Sequence, residues 1–190
     1  WNGGDPNFSL TVGQYMVLPL AYQGAGMQAE ALESMEYINR RFLQGDGAGC
    51  YDPACLEADY FIPYAPAWIA VSAVQMGRGD LAQKCMRHVL PFQGRGRIGG
   101  FFCTMADLKS GKGVFCFDTS ATATMACLWT GNLDQARRAG EYILRLAEVS
   151  SNSTWVWSLD EQGNAVTSKE GPWWDAHKVA KNTITVKCTM

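Results

Sequence analysis

Carboxylates and aromatic rings fall together in this 190-residue chain, at the starts of apolar, helix-like runs. Asp118 precedes Thr119-Ser120 and opens a run that stays apolar or small as far as Trp129. Asp175 follows Trp173-Trp174, with His177 two positions later. A carboxyl group held among rings is less easily ionised, so its pKa rises and it can act as a general acid. Imidazole titrates near neutrality and can shuttle a proton. Asp118, Asp175 and His177 are therefore the candidate catalytic residues. The competing role for both aspartates is a helix N-cap, worth about 1 kcal/mol. For His177 it is a solvent-facing or hydrogen-bonded place near a helix start. Glu57 and Asp59 form a further carboxylate pair in a loop, either an acid/base pair or simply solvated. His88, beside Arg87 on an amphipathic run, reads as structural.

Tyr60, Tyr64, Trp68, Phe117, Trp173 and Trp174 gather at the same helix starts and are the candidate substrate-binding residues. Such rings stack on sugar faces or surround a polyene cation, where they do not simply pack. Trp129, late in its run, is expected in the core. Aromatic residues make up 12% of the chain and include seven Trp, more than a core of this size needs. Apolar residues at 47% and charged residues at 18% exclude a disordered chain. A net charge of −2 offers no basic excess for phosphates, so no nucleic-acid partner is expected. No apolar run reaches the roughly 18 residues of a membrane span. The partner these residues suit is a small-molecule substrate.

Seven cysteines are present. Cys85 and Cys127 sit inside apolar helical patterns and read as buried small hydrophobes. Cys50 with Cys55, and Cys103 with Cys116, are pairs that an oxidising compartment could close. With no CxxC and only two His, neither a structural zinc nor any cofactor is expected. Asn7-Phe8-Ser9 and Asn152-Ser153-Thr154 are glycosylation acceptors by pattern. Together with the cysteines they lean toward a secretory route. The chain opens on Trp1-Asn2-Gly3-Gly4 without an initiator Met or a signal peptide, and is expected to be part of a longer one.

Three segments that would position these residues repeat. Gly26-Met27-Gln28-Ala29-Glu30-Ala31, Gly77-Arg78-Gly79-Asp80-Leu81-Ala82 and Gly131-Asn132-Leu133-Asp134-Gln135-Ala136 align at spacings of 51 and 54 residues. Before each Gly runs a segment with almost no charge, the mark of a helix buried all round. After it runs an amphipathic one, with Leu133, Ala136, Gly140, Ile143 and Ala147 marking the apolar stripe of the third copy. Inner helix, glycine turn and outer helix make helical hairpins over about 9–44, 60–93 and 118–148, with a fourth starting at 174. Pro19 is expected to kink the first inner helix. Two β-hairpin inserts are expected, 100–105 with 114–117 and 155–159 with 165–167. The fold class is mostly α: an α/α toroid, or helical-hairpin barrel, with short β-hairpin inserts. The single domain, 1–190, would be such a toroid or part of one.

The pattern Trp155-Val156-Trp157-Ser158-Leu159-Asp160-Glu161-Gln162-Gly163-Asn164, followed by Lys169, Trp173-Trp174 and His177, resembles the N-acylglucosamine 2-epimerase and cellobiose epimerase family. Gly99-Gly100-Phe101-Phe102 with Asp107 through Asp118 is similar to the same unit. The resemblance implies an (α/α)6 barrel whose cavity mouth is lined by the first turns of the inner helices. It implies an acid/base epimerase, isomerase or hydrolase of carbohydrates. Such epimerases use several active-site His, where this chain has His88 and His177 alone. Isoprenoid cyclases are also toroids, with similar Gly-Gly-Phe segments, although the Asp-x-Asp-Asp motif of the protonating cyclases is missing here. A cyclase or isomerase of an apolar natural product is thus the second expectation. A non-catalytic binding toroid is the third.

Overall fold

The recurring glycines close three helical hairpins with one backbone geometry. This is seen in a computed structural model that describes residues 12–49, 62–96, 98–150, 155–166 and 183–184. Gly26, Gly77 and Gly131 have φ of 77°, 72° and 77°. That left-handed region costs any side chain about 1–2 kcal/mol and glycine almost nothing. The next residue then donates its N–H to the carbonyl five positions back. Met27 reaches Tyr22 at 2.9 Å, Arg78 reaches Ala73 at 2.7 Å and Asn132 reaches Cys127 at 2.8 Å. This Schellman closure satisfies last-turn carbonyls and sends the chain directly into the following helix.

In chain order the helices are α1 (Val12–Tyr15), α2 (Leu18–Gly24), α3 (Gln28–Arg41), α4 (Tyr64–Gln75), α5 (Gly79–Val89), α6 (Met105–Ser110), α7 (Phe117–Trp129) and α8 (Leu133–Val149). The described chain is mostly helical, and α2 packs on α3, α4 on α5 and α7 on α8. Helices α4 and α7 also pack along each other. Their buried residues are mostly small: Ala65, Ala67, Ala70 and Ala73 on α4, and Thr119, Ser120, Ala123 and Ala126 on α7. Small side chains let the two backbones approach, and neither helix has a charged face to keep wet. The second helix of each hairpin buries one stripe only, as α5 does with Leu81, Ala82, Cys85, Met86 and Val89. Arg78 ties the first two hairpins by pairing with Glu36, while its other nitrogen meets Asp80 at 3.0 Å.

The strands are β1 (Val114–Cys116), β2 (Trp155–Val156), β3 (Ser158–Asp160) and β4 (Thr183–Ile184). They form two antiparallel pairs, β1 with β3 and β2 with β4. In the first, Val114, Phe115 and Cys116 face Asp160, Leu159 and Ser158. Among the described residues no helix is long and apolar enough to cross a membrane.

Five expectations need correction. Residues 100–105 and 114–117 pair only at a single antiparallel bridge, Phe102 with Phe115, and not as a two-stranded hairpin, because 105–110 is helical and β1 takes its strand partner from the second insert. The Thr104 side chain caps that helix, accepting from the Asp107 N–H at 3.0 Å. The second insert is a hairpin only at its turn end, where Leu159 pairs with Ala165, Asp160 N–H bonds Asn164 O and Val166 N–H bonds Ser158 O; its other end, β2, pairs with β4. Pro19 does not kink a continuous helix; it occupies the first turn of α2, after a break at Met16-Val17, where its missing N–H costs nothing. Trp129 is 50% exposed and not core, since it lies on the last turn of α7 beside an exposed Leu128.

The fifth correction is the α8 stripe. Its buried residues are Ala136, Ala139, Tyr142 and Leu146, while Leu133 and Ala147 face out. Tyr142 joins the core because its hydroxyl finds a buried acceptor, donating to Phe115 O at 2.7 Å. Its ring meets Phe115 edge-on at 5.9 Å between centroids. Tyr142→Phe removes that buried bond, so it should lower unfolding free energy by about 1 kcal/mol in urea titrations. An unchanged midpoint would show that the hydroxyl contributes nothing.

Candidate functional site

The first turns of α4 and α7 meet at a backbone strap, residues 99–104. Ile62 N–H, just ahead of α4, donates to Cys103 O at 3.0 Å. Phe101 N–H donates to Ser120 Oγ at 2.9 Å, and Cys103 Sγ donates to Thr119 Oγ1 at 3.3 Å. Ser120 and Thr119 are fully buried, and these contacts explain why inner-helix positions there are hydroxylic. Tyr64 and Trp68 on α4, and Phe117 and Asp118 on α7, are thereby placed at one end of the helix pair. All four are partly buried. Tyr64 meets Trp68 edge-on at 6.4 Å, and Phe117 meets Trp157 at 6.2 Å, tilted by 63°. Phe117 N–H also donates to Trp157 O at 2.9 Å, which fixes β3 and its preceding Trp beside the start of α7.

Asp118 is not the N-cap. Cys116 holds that position, and the cap makes no side-chain hydrogen bond. Asp118 lies in the first turn, and burial pushes its carboxyl up to about 6. Asp107 at the start of α6 is also raised, by burial and by the nearby Glu161 carboxylate, against a hydrogen bond from Thr104 that lowers it. Between these two acids stands Cys116, whose thiol is held protonated by a hydrogen bond to Cys103, by burial, and by the charges of Asp118 and Asp107. The Tyr142 hydroxyl is raised too, chiefly by burial. Each group here is disfavoured as an anion and neutral when protonated, so the site retains protons that solvent-exposed groups would release. Among the described residues no group of His, Cys, Asp and Glu could hold a metal ion.

Of the residues expected from sequence, the structure brings together Asp118, Phe117, Tyr64 and Trp68. Tyr60, Trp173, Trp174, Asp175 and His177 lie outside the described residues, as do Glu57, Asp59, Cys50, Cys55, Asn7 and Asn152. His88 packs its ring on Phe92 at 5.4 Å, away from the site, and burial lowers its pKa. Sequence reasoning missed Asp107, Trp157 and the thiols as members of the site. A signal for the first existed: Thr104-x-x-Asp107 is the spacing of a helix-capping box. No family model matches the chain, and neither does any curated protein or solved structure.

The raised carboxyl has a cost that can be measured. Between about pH 4, where an unfolded Asp titrates, and about 6 the folded chain holds a proton that the unfolded chain releases. Stability therefore falls as pH rises through that window, and the deficit persists at pH 7. Asp118 keeps part of its surface in water, so screening trims the full value. Asp118→Asn is expected to gain about 1–2 kcal/mol at pH 7 and nothing below pH 4. Denaturant titrations at both pH values test this, and equal gains at each would show that ionisation of Asp118 is not the source.

Proposed function

We propose that the chain is all or part of an α/α toroid enzyme that acts by acid/base chemistry on a carbohydrate, as an epimerase, isomerase or hydrolase. The carrying observation is Asp118, a carboxyl raised to about 6 by burial, set beside Phe117 at the start of an inner helix. A group with that pKa is partly protonated near neutrality and can donate to a sugar oxygen. The neighbouring rings support the substrate class, since Tyr64, Trp68, Phe117 and Trp157 offer partly buried faces for stacking at the same end of the helix pair. Inner helices packed side by side, each backed by an amphipathic partner, suit a ring of hairpins, in line with the resemblance to N-acylglucosamine 2-epimerases and cellobiose epimerases.

A cyclase of an isoprenoid or related apolar product is the second reading. What favours it is the Gly99-Gly100-Phe101-Phe102 strap seated on the first turn of α7 through Phe101 and Ser120. There Asp118 would protonate a double bond and the rings would stabilise the cation.

Tryptophan fluorescence titrations with a panel of mono- and disaccharides, and separately with polyprenyl compounds, discriminate the two. Saccharide binding followed by turnover supports the first reading, and Asp118→Asn should then lower turnover by 100-fold or more while the fold is kept. Turnover by the parent chain should fall as pH rises above about 6, as the acid form is lost. Binding of polyprenyl compounds alone would overturn the carbohydrate reading. Binding without any turnover would leave a non-catalytic toroid.

A further inference from the structure

Cys103 and Cys116 are thirteen positions apart in sequence and adjacent in space. Phe102 and Phe115 form an antiparallel bridge, with their rings 4.9 Å apart between centroids. One residue further along each segment, Cys103 and Cys116 fall diagonally across that bridge, on the face opposite the rings. Their thiols hydrogen-bond, and Cys103 passes its own proton toward Thr119 Oγ1 at 3.3 Å. Both are free thiols. Cys103 is 2% exposed, whereas Cys116 is only partly buried. The other described cysteines, Cys85 and Cys127, are fully buried in the bodies of α5 and α7.

We propose that Cys103 and Cys116 form a dithiol–disulfide site that closes by exchange with a low-molecular-weight disulfide such as oxidised glutathione. Cys116, the residue of the pair that keeps part of its surface in water, loses its proton to solvent and attacks one sulfur of the reagent. One glutathione thiolate leaves and takes up a proton, and a mixed disulfide remains on Cys116. Cys103 then loses its proton and attacks the Cys116 sulfur, expelling the second glutathione. Two protein thiols are oxidised to one disulfide, and one glutathione disulfide is reduced to two thiols. The product fastens the strap covalently to the N-cap of α7, the residue two before Asp118. It also releases the Thr119 hydroxyl from its thiol partner. Because the surroundings hold Cys116 as the thiol, closure is slow at neutral pH and quickens as pH rises.

The experiment treats the whole chain with oxidised glutathione at pH 7 and pH 9, then quenches with acid and maps unreduced peptides by mass. The expected product is a Cys103–Cys116 cross-link, lighter by two hydrogens, formed at least tenfold faster at pH 9. Its Tm should rise by roughly 5 °C or more, because a loop is closed in the unfolded chain. Cys103→Ser should stop at a stable glutathione adduct on Cys116. Cys116→Ser should leave Cys103 unmodified while far-UV circular dichroism shows the fold intact. The proposal is overturned by a lasting mixed disulfide in the parent chain, or by Cys116 linked to Cys50, Cys55 or Cys188. Full retention of both thiols under prolonged oxidation of the folded protein overturns it as well.

Discussion

The strap at 99–104 passes, at its first two residues, where no side chain would fit, and the candidate site depends on that closeness. A Cβ on Gly99 would stand 2.6 Å from Arg138 Cβ, and one on Gly100 would stand 2.6 Å from Phe115 Cβ. With hydrogen in those places the backbone lies flat between α8 and β1, and its polar groups reach partners on every side. Gly100 O accepts from Gly94 N–H at 2.9 Å, and Gly99 O accepts from the Gln93 side chain at 2.9 Å. Gln93 also donates to Gln135 O at 2.8 Å, which anchors the strap to the outer helix. Beyond the glycines, Phe101 and Cys103 hold α4 and α7 at their first turns. A bulkier strap would ride outward, and α4 and α7 would lose the element that aligns their starts.

That alignment concentrates acids in a place that resists their ionisation. Asp118, Asp107, Cys116 and Tyr142 are all shifted in the same direction, and the carboxylate charges of Asp118 and Asp107 add to the penalty at Cys116. Burial is the leading cause at Asp118, Asp107 and Tyr142, and the hydrogen bond to Cys103 leads at Cys116. Asp160, only a short distance along the chain from Trp157, behaves oppositely. Its carboxylate accepts from Gln162 N–H and Asn164 N–H at 2.9 Å each, and these bonds lower its pKa. Hydrogen bonding to the charged form, not residue type, separates a turn-forming aspartate from a proton-holding one.

Features that depend on local chain geometry were legible in the sequence. The glycine period located three turns, and the uncharged runs before the second and third marked α4 and α7 as buried helices. Asp118 was legible as a residue at a helix start, but its position relative to the cap was not, because Cys116 carries no capping side chain to betray the boundary. The β1–β3 pairing was illegible for a different reason. Two short strands 44 residues apart offer no turn signal, and each had a nearer segment that alternated equally well. The Tyr142 position shows the limit of periodicity: a polar-tipped ring scores as surface until its acceptor, Phe115 O, is known.

The glycine turns also decide where chemistry can accumulate. Each turn joins the C-terminal end of the first helix of a hairpin to the second by the shortest route, with Schellman bonds that leave no room for insertion. A longer connection must then run from the second helix of one hairpin back to the first helix of the next. The connection from α5 to α7 does so, carrying the strap, α6 and β1 with it. Phe101 and Cys103, delivered by this connection, bond at the N-terminal ends of α7 and α4. Leu128, Trp129 and Leu133 occupy the opposite, turn-bearing end, where they stay exposed, and the carboxylates of Glu36 and Asp80 at that end are paired with Arg78. The tight turns thus make the two ends of the helix pair chemically unequal, and the proton-holding cluster forms at the end where the chain is long enough to build it.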